Sequence, residues 1–369
     1  MATGQGKTDR PRKGVGRTLL DDVQRGDLRK TVRTDLKDLY AFYLDDEARE
    51  RLARMGWFRR ALARFWWLAK SLFYNLTPAR RVLLVAGILL FVVSPFHFRT
   101  GEGTGFTLEL DPLGFLLILA VLMLELKDKL LAKDELAVGR AVQLALLPDE
   151  SPPIPGWDVW FHTQPANDVG GDLVDALSLP GSRLALIVGD VSGKGLGAAL
   201  LMAKLQATIR AVATETPSLA DLGSRANAIF CRDQVAGRFA TLLYLELRPD
   251  SGTVRVLNAG HLPPRYQAEG AWPELPPVAP PLGVIPGARF EEQEIVLDPG
   301  ALLVAFSDGV TEARNADGEF FEDRLERLLP ELRGLSAEAA GERVLEEVGA
   351  FVGEERLGDD LSLAVIRRG

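Results

Sequence analysis

Between Ala240 and Phe306 the chain reads as four β-like runs, 240–247, 254–259, 290–297 and 302–306, with no helical stretch between them. A doubly wound parallel sheet needs a crossover helix between successive strands. This succession argues instead for antiparallel sheets with helices packed outside them. Runs of the same texture cover 157–164, 173–179, 183–191 and 361–367, most of them bounded by Gly, Pro or Asp. Helical patterns occupy about 197–214, 219–235, 324–332 and 337–351. The expected fold class of residues 151–369 is α+β.

Several of these runs carry an aspartate at one tip. Asp190 follows the apolar stretch Leu184-Ala185-Leu186-Ile187-Val188, and Asp308 follows Leu302-Leu303-Val304-Ala305-Phe306. Asp172 precedes one run and Asp359 another. Any one of them reads equally well as a turn former, since Gly-Asp and Ser-Asp-Gly are common turn sequences. If the strands are neighbours, the four carboxylates meet, and packed like charges call for cations. Mg²⁺ and Mn²⁺ take oxygen ligands, and a pair of such ions suits phosphate chemistry. A P-loop reading of Gly189-Asp190-Val191-Ser192-Gly193-Lys194-Gly195 fails. The spacing is one residue short, and Gly195 replaces the hydroxyl that would touch Mg²⁺.

Charge divides the chain. Residues 1–81 hold 19 Lys/Arg against 10 Asp/Glu, and the remaining 288 hold 24 against 41. A basic front beside apolar segments suits an anionic membrane surface, and no nucleic-acid signature accompanies it. Cys231 is the single cysteine, so an intrachain disulfide and a Cys-based zinc site are excluded, and three scattered histidines disfavour a His-rich site. No apolar run follows the first charges, so a secretory leader is not expected.

The expected organisation is a disordered basic tail at 1–18 and a helical, basic and aromatic membrane-interface region at 19–78. A transmembrane hairpin at 79–126, a linker helix at 127–150 and a catalytic domain at 151–369 follow. Within 19–78, a helix is expected over about 19–43 and a second from about 46 to 74. The second mixes Arg59, Arg60, Arg64 and Lys70 with Trp57, Phe58, Phe65, Trp66, Trp67 and Phe73, which suits a headgroup layer. Two uncharged runs, 82–98 and 113–124, flank a Gly-rich loop at 100–105. Arg80 and Arg81 precede the first run, and Lys127, Lys129 and Lys133 follow the second. The positive-inside rule then puts both termini in the cytoplasm of a two-helix membrane protein. Buried core helices, or a soluble dimer interface, are the alternatives for this hairpin. No breaker intervenes before Pro148, so one helix is expected over about 113–147. Its stretch 127–147 would pack on a second copy or on the chain's own catalytic domain.

Seven stretches share one further property, their order: Gln143-Leu144-Ala145-Leu146-Leu147-Pro148; Pro165-Ala166-Asn167-Asp168-Val169-Gly170-Gly171-Asp172; the 189–195 turn; Asn258-Ala259-Gly260-His261-Leu262-Pro263-Pro264; Pro281-Leu282-Gly283-Val284; Ser307-Asp308-Gly309-Val310-Thr311-Glu312-Ala313; and Asp359-Asp360-Leu361-Ser362. In these, residues 140–369 resemble the SpoIIE branch of the metal-dependent PPM serine/threonine phosphatases, the group that contains RsbU-like regulators of bacterial sigma-factor control. The resemblance implies an α-β-β-α sandwich, two antiparallel sheets flanked by helices, with two Mn²⁺ or Mg²⁺ ions at one edge. By motif position, Asp190 would bridge the ions, assisted by the Val191 carbonyl. Asp172 would serve one ion, and Asp308 and Asp359 the other. Water held by the ions, rather than a side chain, would be the nucleophile. Asp168, Asp175 and Asp360 match acidic positions expected to be supporting.

Two departures stand out. Leu173-Val174 replaces the aromatic pair that relatives carry after Gly-Gly-Asp, and no Arg is identifiable as a phosphate clamp. Lys194 is a weak candidate for that role, and His261 reads as structural. The resulting expectation is a membrane-anchored bacterial phosphatase acting on phosphoserine or phosphothreonine of an anti-sigma-factor antagonist. The alternative is a membrane-tethered scaffold that binds a phosphoprotein without hydrolysing it.

Overall fold

The computed structural model describes residues 56–93, 97–99, 105–107, 111–148, 151–233, 237–249 and 251–369. The basic tail and the helix expected over 19–43 lie outside the described residues. The chain divides into two compact units, 1–129 and 130–369.

In the first unit, α1 runs Trp57–Asn75 and α2 runs Pro78–Val93. Proline suits the first turn of α2, where its missing N–H would have no intrahelical partner. The Arg81 guanidinium donates to the carbonyls of Phe73 and Tyr74 and so fixes the corner between the two helices. β1 (His97–Arg99) and β2 (Gly105–Thr107) pair antiparallel. The run expected to be helical from 82 to 98 therefore has its helix end at Val93, and its last residues form one arm of a ribbon. The reason is local, because bulky residues on either side of a Gly-rich stretch are a hairpin pattern.

α3 (Asp111–Leu146) is one uninterrupted helix of 36 residues. It crosses α2 at two glycines. A Cβ on Gly114 would lie 2.7 Å from both the Gly87 carbonyl oxygen and the Phe91 nitrogen, so only glycine lets these backbones meet. Arg80 ties the same helices by ion pairs to Glu125 at 2.6 Å and Asp128 at 2.7 Å. Val82, Leu89, Phe91 and Val92 on α2 remain exposed, as do Phe115, Leu116 and Leu122 on α3.

The second unit continues with β3 (Trp157–Gln164), β4 (Leu173–Leu179), β5 (Arg183–Val191), α4 (Leu196–Ala213) and α5 (Leu219–Arg232). Then come β6 (Ala240–Leu247), β7 (Thr253–Ala259), β8 (Arg265–Tyr266), β9 (Gln293–Val296) and β10 (Leu302–Phe306). α6 (Asp308–Thr311), α7 (Glu322–Leu328), a 3₁₀ turn (Leu329–Leu332), α8 (Ala337–Val352) and β11 (Leu361–Arg368) complete it. The helix expected over 324–332 changes to 3₁₀ near Pro330, which cannot donate to an α-helical ladder. α4 is the one helix among the described residues both long and apolar enough to cross a bilayer. Nine of its residues are buried in the core of this unit.

The strands form two antiparallel sheets, ordered β4-β5-β6-β7-β9 and β3-β11-β10-β8. Alternation along β5 explains how they stack. Leu184, Leu186 and Val188 face the second sheet, where they meet Leu303, Ala305, Ala364 and Ile366. Ala185, Ile187 and Val191 face the other way, toward Met202, Leu205 and Ile209 of α4. On the far side, Leu302, Val304, Leu363 and Val365 pack under α7 and α8. Helices, sheet, sheet, helices is the resulting order, which is the α-β-β-α sandwich expected.

Asp175, fully buried on β4, accepts two hydrogen bonds from Arg210 of α4, at 2.7 and 2.6 Å. It ties helix to sheet and does not face the other acidic residues named above. Antiparallel pairing sets the remaining geometry. The start of β4 meets the end of β5 through Leu173↔Gly189, and the end of β10 meets the start of β11 through Phe306↔Leu363.

Candidate metal centre

These strand tips bring Asp172, Asp190, Asp308 and Asp359 to one end of the two sheets. Asp190 is the penultimate residue of β5, a strand buried along most of its length, so its Cα is fixed at the sheet's edge while its side chain is half-buried. Its backbone is held across the sheet, because the Asp190 N–H donates to Thr241 Oγ1 at 3.0 Å. Burial, then the charges of Asp308, Asp359 and Asp360, push the Asp190 carboxyl up to about 6. Asp308 is raised too, by burial and then by Asp359 and Glu312, against the Gly309 N–H and Lys194. Asp172 lies deepest, and its carboxyl is raised well above the ordinary range. Burial is the main cause and the Asp190 and Asp360 charges add to it, while the Ser362 and Ser307 hydroxyls oppose. Its Oδ2 is buried with no hydrogen-bond partner.

An orphaned carboxylate oxygen beside mutually repelling carboxylates is a site short of positive charge. The donor set is all oxygen, which fits Mg²⁺ or Mn²⁺. The Val191 carbonyl oxygen belongs to the same corner, since a Cβ on Gly171 would sit 2.9 Å from it and 3.6 Å from Asp190 Oδ1. Among the described residues, however, no three His, Cys, Asp or Glu side chains are drawn close enough to hold a cation as they stand. Like charges spread, and one of the four is paired elsewhere: Lys194 Nζ lies 2.9 Å from Asp359 Oδ2.

The supporting residues divide. Asp360 is buried and accepts from the Ala166 N–H at 2.8 Å and the Gly171 N–H at 2.6 Å, which pins the loop leading to Asp172. Asp168 is exposed. His261 is structural. It is 3% exposed, its backbone N–H donates to Asn258 Oδ1 at 2.9 Å, and its ring Nδ1 lies 2.9 Å from Thr241 Oγ1.

Two contacts were not legible beforehand as roles. Gln143 of α3 grips both backbone groups of one residue: its Nε2 donates to the Gly170 carbonyl at 2.8 Å, and the Gly170 N–H donates to its Oε1 at 3.1 Å. The signal was present, because Gln143 is a lone polar residue in the apolar run 141–147. A cavity of only about 10 Å³ separates Gln143, Thr163, Gly170, Asp172 and Asp360, so helix and loop pack directly. Arg238, just before β6, donates to the Ser192 carbonyl at 2.9 Å and lies across Gly193, whose φ of +103° and lack of a Cβ make room for it. Its signal was weaker, a single Arg ahead of a strand.

This fold and this acidic edge define the catalytic half as a PP2C-like serine/threonine phosphatase domain. Residues 180–369 match the family described as Stage II sporulation protein E (SpoIIE), and the chain belongs to that family of metal-dependent phosphatases. It is 29% identical to Protein IcfG of Synechocystis sp. over 63% of this chain and 41% of that one. It is 26% identical to Phosphoserine phosphatase RsbU of Bacillus subtilis over 64% of this chain and 70% of that one. Among solved structures, the RsbU and RsbW domains of Rv1364c from Mycobacterium tuberculosis match at 26% identity and a TM-score of 0.53, over 60% of this chain and 63% of that one. The SiaA-PP2C domain of Pseudomonas aeruginosa shares the fold, with a TM-score of 0.59 at 18% identity, over 66% of this chain and 99% of that one. The chain thus spans less than half of IcfG and about two thirds of RsbU.

Burial lowers the His261 imidazole to about 4, against the Phe306 carbonyl, whereas an unfolded imidazole titrates near 6.5. The unfolded chain therefore binds more protons between these values, and the stability His261 contributes is lost as pH falls from 6.5 toward 4. At pH 5 the loss is on the order of 2 kcal/mol. Denaturant melts at pH 7 and pH 5 should show a smaller drop for His261→Gln than for the wild type; equal drops would refute this.

Proposed function

We propose that this chain is a membrane-anchored, metal-dependent phosphatase that hydrolyses phosphoserine or phosphothreonine on a protein, an anti-sigma-factor antagonist being the expected substrate. One observation carries the chemical part: Asp172, buried with an unpartnered oxygen, beside Asp190, Asp308 and Asp359 at the mouth of two apolar sheets. Asp190 would serve both divalent ions, with the Val191 carbonyl assisting, Asp172 serving one and Asp308 and Asp359 the other. Such ions, when bound, acidify water and neutralise phosphate oxygens. The chain's own part is to keep the carboxylates aimed. The Asp190 backbone is locked to Thr241, the Asp172 loop is pinned by Asp360, and Asp308 opens the short α6. Kinship with RsbU, a phosphoserine phosphatase by name, supports the substrate class.

Asp190→Asn keeps the shape and removes the charge shared by both ion positions. In phosphate release from a phosphoserine protein with Mn²⁺, the variant should lose at least about two orders of magnitude. Its metal-free form should melt higher than the wild type, because a repelling buried charge is gone. No release by the wild type, or an undiminished rate in the variant, would favour the non-hydrolysing scaffold.

We also read α3 as the route by which the N-terminal half acts on the site, either alone or paired with a second copy through 127–147. The helix runs unbroken from 111 to 146, and Gln143 near its end holds the peptide two residues before Asp172. Gln143→Ala should raise the Mn²⁺ concentration for half-maximal rate several-fold. An unchanged Mn²⁺ dependence would defeat the coupling.

The membrane part of the proposal rests on the α2–α3 hairpin, whose close glycine crossing and exposed apolar flanks suit lipid better than water. α2 has 16 residues, about 24 Å, against a hydrocarbon core of about 30 Å, so its flanks would have to contribute. The full chain should stay with membranes after an alkaline carbonate wash, and deletion of 79–126 should release it. Recovery of the intact chain in the wash would overturn the anchor.

A further inference from the structure

We propose that Lys194 is a built-in competitor for the metal centre: its ammonium holds Asp359 and must be displaced before a divalent ion can take that carboxylate. The inference rests on the metal-dependent reading above and concerns how that centre is filled.

The geometry of the pair is specific. Lys194 Nζ lies 2.9 Å from Asp359 Oδ2 and donates to the Gly358 carbonyl at 3.0 Å. The other oxygen, Oδ1, accepts the Asp360 N–H at 3.0 Å. Both oxygens of Asp359 are thus engaged, one by the backbone amide of the next residue and one by a cation from elsewhere. The root of Lys194 is held firmly. The Ser192 N–H donates to the Phe239 carbonyl, Ser192 Oγ accepts the Phe239 N–H at 2.8 Å, and Arg238 holds the Ser192 carbonyl. A turn held at Ser192, directly after Asp190 and Val191, therefore delivers a flexible four-carbon stem to a carboxylate just before β11. That placement puts a cation beside the acids at the solvent-facing side of the edge.

Displacement should be easy. The Lys194 and Asp359 side chains are 59% and 44% exposed, and exposed pairs are weak. A hydrated divalent ion offers twice the charge, and the freed ammonium would still repel it. Both effects have the same sign, so removing the charge tightens ion binding. Lys194 would be a positioning residue that sets how much free metal the enzyme needs.

The test is Mn²⁺ titration of the full chain in detergent by calorimetry, with metal-free melting alongside. Lys194→Met should bind Mn²⁺ about two- to fivefold more tightly than the wild type and should melt slightly lower without metal. Lys194→Arg, which retains the charge, should return both readouts toward the wild type. Equal or weaker Mn²⁺ binding by Lys194→Met would overturn the proposal and make Lys194 a mere brace. Failure of the wild type to bind Mn²⁺, or full binding by Asp190→Asn, would instead defeat the metal reading, and this inference with it.

Discussion

Repulsion among carboxylates whose backbones are fixed at one end of two packed sheets is the interaction on which the rest of this molecule depends. Asp190 is fixed because β5 is buried on both faces, and Asp172 because its neighbours Gly171 and Leu173 are buried as well. In water such groups would separate and ionise freely. Here burial and mutual charge raise Asp172, Asp190 and Asp308, so the folded state carries an electrostatic penalty at neutral pH. Three apolar clusters supply the stability that offsets it, with fully buried Leu, Ile and Val side chains worth roughly 1.5–3 kcal/mol each. A strained, charged edge on a strongly packed sandwich is the pattern expected where function overrides local stability.

α3 ends at Leu146, two residues before the breaker Pro148, with Gln143 in its last turn. A helix of 36 residues has little reason to present a buried amide to a loop unless that loop needs holding. Gly170 lies between Gln143 on one side and the Asp360 carboxylate on the other, since a Cβ on Gly170 would approach Asp360 Oδ2 to 2.5 Å. One peptide, clamped by two elements remote in sequence, sets the approach to Asp172.

Much of this was legible from residue order, and the limits are physical. β3, β4, β5, β6 and β10 carry the bounds that alternation and Gly, Pro or Asp punctuation predict. β8, two residues long, has too few positions for any period to show, and the four-residue α6 likewise. The pairing of β1 with β2 was missed because apolar content alone does not separate a helix end from a strand. Pairing is the deeper gap. β11 lies between β3 and β10, almost 200 residues after the first of these, and no local pattern encodes that adjacency. The four aspartates could be picked out by their place at strand tips. The ion pair of Lys194 with Asp359 could not, because it depends on where two loops meet.

The charge of the edge also bears on the choice between catalyst and scaffold. A protein that merely captures a phosphate group needs donors, such as guanidinium, ammonium and backbone N–H groups. This edge presents four carboxylates, and Arg238 and Lys194 are each engaged with groups of the chain itself. A phosphoserine approaching bare carboxylates meets repulsion from every side. It can enter only when cations outweigh the acids, and divalent ions in such a position also acidify water. Binding phosphate here and being equipped to hydrolyse it therefore require the same occupants. For an inert scaffold the acidic edge would carry the cost without the use, and that is the physical ground for preferring the enzyme.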